Sequence, residues 1–298
     1  MQTQSETFSD RLLGFTLPAR DARARLVRLD DVLDQVLSAH KYPAPISHLL
    51  GEALVLGALM GGLLKAEGED AQLTMQAQTK TGVVSLLVCD YRGGDIRGYA
   101  DFDAEALERL GANPSLSSLF GDGFLAITFE TAKGQRYQGI VPLEGESLAE
   151  ACEGYFSQSE QIPTLIRTAS RSGADGHVAS GLLIQHLADG EEGRERLHVR
   201  ADHPDWEHVV AMASTISHDE LLDPDLSLEA IAWRLFHEEE EVRIQSGAAL
   251  RRGCRCSSEY YHAVIARFPE AEQREMRNDE GVIAVDCAFC AKTFELDI

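Results

Sequence analysis

The residues best placed to do chemistry are four cysteines near the C-terminal end of a 298-residue chain: Cys254, Cys256, Cys287 and Cys290. They form a C-x-C pair and a C-x-x-C pair with thirty residues between them. Two close pairs joined by a loop can place four sulfurs at the corners of a tetrahedron, the arrangement taken by a structural zinc ion. Thiolate is the ligand form, so binding displaces the protons of the free thiols. Four protein ligands leave no open position for substrate water, which argues against hydrolytic zinc chemistry. The same sulfurs can be oxidised to disulfides, and oxidants attack the thiolate form that a metal already imposes. C-x-C is the less common spacing in zinc knuckles, and two thiolates so close in sequence can be joined with little backbone movement.

The lobe that carries these cysteines runs from about residue 251 to 298 and is modestly apolar. A segment this short rarely folds on buried hydrocarbon alone. One zinc ion in the reduced state would supply roughly 10–16 kcal/mol of its folding free energy. Arg251, Arg252, Arg255 and Lys292 would offset part of the net charge of a four-thiolate site.

The upstream chain predicts an α+β main domain over residues 1–188, then a polar and helical linker region over 189–250, then the zinc-binding redox-switch lobe over 251–298. Leu29, Val32, Leu33, Val36 and Leu37 recur at helical spacing, and a second helix is expected from about Ile46 to Lys65. Strands follow at 73–77, 83–89 and 96–102, then a hairpin of 124–129 with 137–141. Ser147 and Glu150 suggest a capping box for a helix reaching about Ser157. Strands at 165–168 and 178–187 close the domain. In the linker, Trp206, Val209, Val210, Ala213 and Ile216 make one apolar stripe, and Leu228, Ile231, Ala232, Leu235 and Phe236 make another. Such stripes usually pack permanently, and the neighbouring metal lobe raises the alternative of conditional packing. Glu238–Glu241 reads as a solvated run with no binding role.

Composition excludes several function classes. The formal charge is −22, which repels phosphate backbones and anionic lipid, so neither nucleic acid nor membrane is an expected partner. No basic stretch followed by an apolar run opens the chain, so a reducing cytoplasmic location is expected. The most apolar segment, Leu49–Leu64, contains Glu52 and reads as a buried core helix. Cys89 and Cys152 are isolated and read as small buried hydrophobes.

For the four-cysteine lobe, three other readings stand beside a redox switch. The first is an inert structural zinc in a constitutive adaptor. The second is a thiol–disulfide oxidoreductase using Cys287 and Cys290; Lys292–Leu296 reads as a strand, though, whereas that chemistry normally sits where a strand meets a helix. The third is a nucleic-acid-binding zinc ribbon, for which the lobe has the wrong charge, with five basic against nine acidic residues from Cys254 to Ile298. His262 is a spare potential ligand.

Several segments together resemble the redox-regulated heat-shock protein of 33 kDa, a bacterial holdase chaperone family. They are Cys254-x-Cys256 with Cys287-x-x-Cys290, the run Arg136-Tyr-Gln-Gly-Ile-Val-Pro-Leu-Glu-Gly145, the run Tyr155-Phe-Ser-Gln-Ser-Glu-Gln-Ile-Pro163, and Trp233-Arg-Leu-Phe-His-Glu-Glu239. The resemblance covers the whole chain. It implies a zinc-bound, inactive monomer when reduced. Oxidation would then form Cys254–Cys256 and Cys287–Cys290 disulfides, release zinc, unfold the lobe and linker, and yield a homodimer. That form would hold unfolding client proteins in the stress response without ATP and without enzymatic turnover. The sequence has no G-x-x-x-x-G-K-[ST] phosphate loop, in keeping with this. One departure is the basic approach to the first pair, Arg252-Gly253 and Arg255, where an apolar one is expected.

Overall fold

In the computed structural model, residues 9–64, 71–173, 176–187 and 202–297 are described. The polar run Asp189–Arg196, the expected helix end at Lys65 and the chain's first eight residues lie outside them. The chain opens with β1 (Arg11–Leu17) and β2 (Ala22–Leu29), followed by α1 (Asp31–Leu37) and α2 (Ala44–Gly61). Then come β3 (Gln72–Gln78), β4 (Val84–Arg92), β5 (Asp95–Phe102), α3 (Ala104–Leu110), α4 (Leu116–Phe120) and the hairpin β6 (Phe124–Glu130) and β7 (Arg136–Pro142). Next are α5 (Leu148–Tyr155), β8 (Thr164–Gly173) and β9 (Gly176–His186). One antiparallel sheet has the order β3-centred β5-β4-β3-β6-β7, and the other has β1-β2-β9-β8. The expected α+β class is what is found.

Helix α2 lies between the two sheets. It is apolar on nearly every side, as a helix buried on all faces must be. It is long and apolar enough to cross a membrane, but 78% of that stretch is buried inside the protein, which makes it a core helix. Close approach depends on glycine: a Cβ on Gly57 would lie 2.4 Å from the Cys89 sulfur on β4. Burial pushes the Cys89 and Cys152 thiols well up from their ordinary range. A raised acid pKa keeps these thiols protonated at pH 8, and that contribution to stability is lost only as pH rises past the unfolded value. Iodoacetamide at pH 8 should therefore leave both untouched in the native protein and modify both after denaturation. A mass shift on either in the native state would contradict their burial.

The sheet of β1, β2, β9 and β8 is covered on both faces. Leu12, Val27, Leu29, Ile166 and Leu183 face α2, while Leu13, Phe15, Leu17, Ala24, Leu26, Leu182 and Ile184 belong to a second core. That second core is closed by the linker helices α6 (Pro204–Ala213), α7 (His218–Leu222) and α8 (Leu228–Phe236), which bury Trp206, Val209, Leu222, Ile231 and Phe236 on the sheet. Phe236 is 1% exposed, and its ring lies 5.8 Å from that of Phe15. Both apolar stripes are thus packed.

Several local expectations need correction. Leu29 ends β2 rather than opening a helix, which starts at Asp31. Ser147 Oγ accepts from Glu150 N, but Glu150 Oε2 accepts from Glu146 N, so only half of the capping box forms. The end of the stretch expected to be helical linker is a strand, β10 (Arg243–Ala249), which pairs with β1 at the sheet edge. The two-residue β11 (Arg251–Arg252) then pairs in parallel with β5 of the other sheet. A strap thus ties the linker to both sheets just before the cysteine lobe.

Candidate metal centre

The lobe contains α9 (Ser258–Ile265), α10 (Glu270–Glu275) and the hairpin β12 (Ile283–Asp286) with β13 (Thr293–Leu296). Cys254 and Cys256 lie between β11 and α9, where Ser257 Oγ caps the helix by accepting from Tyr260 N. Cys287 and Cys290 lie on the turn between β12 and β13. Ala291 N donates to Cys287 O at 2.8 Å and Cys287 N to Lys292 O at 2.9 Å, which folds the turn back on itself. Ala291 holds φ +54°, a left-handed conformation that costs alanine on the order of 1 kcal/mol.

All four sulfurs lie within 4.8 Å of one another. Cys254 Sγ is 3.3 Å from Cys256 Sγ and 3.6 Å from Cys287 Sγ, and Cys256 Sγ is 3.5 Å from Cys290 Sγ. A tetrahedron of four sulfurs about 2.3 Å from a central zinc has edges of about 3.8 Å. A disulfide would bring a pair to about 2.05 Å. The four free thiols therefore fit a tetrahedral ion that favours soft ligands. Among the described residues the cluster consists of these cysteines, without His262.

The sulfurs are electrostatically unequal. Burial opposes ionisation of Cys287, but the Tyr261 hydroxyl and the backbone N–H groups of Cys290 and Phe289 donate to its sulfur and bring it down to about 6. Burial and the neighbouring sulfurs push Cys256 and Cys290 up. Four thiolates this close need a cation among them. The lobe's own buried core is small: Ile265, Ile283, Cys287, Phe294 and Leu296.

Polar contacts dock the lobe on the sheet of β3, β4 and β5. Asp90 on β4 is 4% exposed; it accepts from Arg97 Nε and Nη2 at 2.8 and 2.6 Å and from Arg255 Nη2 at 3.2 Å. Arg255 Nη1 also donates to Gln72 Oε1 at 2.6 Å. The Arg97 guanidinium lies 4.0 Å from the centre of the Phe289 ring, inside the Cys287–Cys290 turn, and the ring nitrogen His40 Nε2 lies 2.7 Å from Ala288 O. Arg251 pairs with Asp95, and a Cβ on Gly253 would lie 2.3 Å from Asp95 Cβ. The basic approach is thus a docking strip, not a loose one. None of Asp90, Arg97, Gln72 or His40 stands out in the sequence, apart from Asp90 being an acid at the end of an apolar strand. Asp90→Asn should weaken the grip on two guanidinium groups. It should speed peroxide-driven loss of the four thiols several-fold, at a cost of about 1–3 kcal/mol in lobe docking. An unchanged rate, followed by thiol titration, would show that docking does not protect the cluster.

The linker is anchored in the same polar manner. Glu239 is not part of a solvated face: its side chain is 7% exposed, accepts from Arg20 Nε at 2.9 Å and lies 2.6 Å from His208 Nε2. Arg20 Nη1 also donates to Asp205. Buried Arg28 on β2 donates to the backbone carbonyls of Leu221 and Leu226.

With this geometry in view, residues 10–297 match the family model described as Hsp33 protein. The chain belongs to the Hsp33 family. Its curated relatives include the 33 kDa chaperonin of Caulobacter vibrioides, 38% identical and covering 97% of this chain and 95% of the relative, and that of Pseudomonas paraeruginosa, 37% identical over 97% and 92%. A crystal structure of the 33 kDa chaperonin from Thermotoga maritima superposes with a TM-score of 0.77 at 20% identity, over 96% of this chain and 94% of that one, which establishes the shared fold. Hsp33 proteins are chaperones and not enzymes, so this chain is a chaperone that binds client proteins.

Proposed function

We propose that this Hsp33 chaperone is an oxidation-activated, ATP-independent holdase of the bacterial cytoplasm. The observation that carries the reading is a pairing of features. A lobe with four buried aliphatic and aromatic side chains surrounds four clustered thiols, and linker helices tied to it by a strap cover an apolar sheet face. In the reduced monomer, Cys254, Cys256, Cys287 and Cys290 would hold one zinc ion. Held by these four residues, such an ion would tie the two cysteine pairs together and offset their charge.

Two molecules of peroxide remove four electrons from the thiolates. Each breaks its O–O bond, takes up two protons and leaves as two waters while one S–S bond forms. The resulting Cys254–Cys256 and Cys287–Cys290 disulfides leave no ligand set, and the lobe loses its main stabiliser. Its docking rests on a few ion pairs, hydrogen bonds and one ring contact, a smaller contribution than that of a structural metal. β10, with the sequence Arg-Ile-Gln-Ser-Gly-Ala-Ala and a register break between Leu12 and Gly14 of its partner, is a weak tether once the lobe melts. Release of α6–α8 uncovers Leu13, Phe15, Leu17, Leu26 and Leu182, a surface for unfolding proteins and for a second copy of the chain.

The test follows metal content, free thiols, oligomeric state and suppression of client aggregation in reduced and peroxide-treated protein. The reading expects all four to change together. Equal protection in both states with the metal retained would leave an inert structural site instead.

A further inference from the structure

The sheet beneath the linker has a charge pattern opposite to the rest of the chain. Its strands β1, β2, β8, β9 and β10 contain seven arginines and no aspartate or glutamate, in a protein with 49 acidic and 27 basic residues. The linker is the reverse: residues 202–242 carry twelve aspartates and glutamates and a single arginine, Arg234.

The two meet through specific pairs. Arg11 Nη2 donates to Glu229 on α8 at 3.1 Å. Arg20 binds Asp205 at the start of α6 and Glu239 beyond α8. Arg28, 2% exposed, donates to carbonyls at Leu221 and Leu226, and Arg167 Nη2 reaches Ser214 Oγ at 3.5 Å. Arg11 and Arg28 sit on the strands at the same facing positions as Leu13, Phe15, Leu26 and Ala24, by the alternation that puts those side chains in the second core. The linker therefore satisfies this face in two ways at once, with an apolar stripe and with carboxylates placed around it.

We propose that the uncovered face selects client segments of the same chemistry as the linker, an apolar stripe flanked by carboxylates, and that Arg11 and Arg20 determine that selectivity. This rests on the oxidation-activated holdase reading above and names its client class. The overall charge of −22 works against it, because the long-range field attracts cationic segments. At physiological salt that field is screened beyond about 8 Å, so direct contacts with the arginine rim prevail.

The test uses the full-length chain after peroxide treatment and two fluorescent amphipathic peptides with the same leucine and phenylalanine stripe, one flanked by glutamates and one by lysines. Anisotropy should show the glutamate peptide binding about tenfold tighter, as two or three modest ion pairs would give. In Arg11→Gln/Arg20→Gln the ratio should fall below about twofold. In the unaltered chain, raising salt to about 0.5 M should produce the same fall, which keeps the test valid even if the variant folds poorly. Equal binding of the two peptides, tighter binding of the lysine peptide, or binding of neither by a sample that suppresses aggregation would overturn the proposal while leaving the switch intact. Loss of aggregation suppression on oxidation would sink the switch itself, and the client class with it.

Discussion

Chelating the proposed zinc ion from the reduced protein should melt residues 254–297 and leave the two-sheet domain folded. The expectation follows from the size of the competing terms. A structural zinc site contributes on the order of 10–16 kcal/mol to the folding of a small module. Four buried aliphatic and aromatic side chains contribute about 1.5–3 kcal/mol each, before the ordering entropy of more than forty residues is subtracted. Hydrocarbon alone therefore cannot hold the lobe. Cys287→Ser should have the same consequence, since it removes one of the four proposed ligands and puts a hydroxyl at a 2% exposed position. Limited proteolysis should then cut within the lobe at least a hundredfold faster, with little change at β3–β7. A chelated sample that kept its proteolytic resistance would mean that the small core and the Asp90 docking network suffice.

Phe236→Ala should activate the chaperone without any oxidant. Phe236 closes the second core against Phe15 on β1. Truncating a buried phenylalanine typically costs 3–5 kcal/mol, and the loss falls on the contact between α8 and the sheet, away from the cysteines. The reduced variant should keep its four thiols and its metal, lose hydrogen-exchange protection over 204–236, and suppress client aggregation as oxidised unaltered protein does. This separates the uncovered surface from the sulfur chemistry that uncovers it. If the linker of Phe236→Ala exchanged freely while the protein stayed inactive, the client surface would lie elsewhere.

The parts legible in the sequence were those whose information is local. The C-x-C and C-x-x-C pairs specify their own geometry, and the structure brings all four sulfurs together. Helix α2 and the β6–β7 hairpin were also legible, the first from length and apolarity, the second from two runs around a polar turn. The strands β1 and β2 gave no usable signal, each for its own reason. In β1, Leu12 faces α2 while Leu13 faces the linker, so the apolar–polar alternation of a half-exposed strand is missing. In β2 the linker-facing positions begin with Ala22 and Ala24, too weakly apolar to mark a face, and Leu29 blended into the helix that follows. β10 has no strand pattern at all and forms because the edge of β1 is free to pair with it. Glu239 is indistinguishable in sequence from Glu238, Glu240 and Glu241; only the arrival of Arg20 from 219 residues away singles it out. The docking strip around Asp90 is invisible for the same reason, since its partners come from β3, β5 and the lobe.

The most direct measurement is hydrogen exchange on one sample before and after two equivalents of peroxide, with released metal recorded alongside. The account predicts that metal release is accompanied by collapse of protection over 254–297 and over 204–236, while β3–β7 stay protected. Four oxidised sulfurs in a protein whose linker helices remained as protected as before would contradict it.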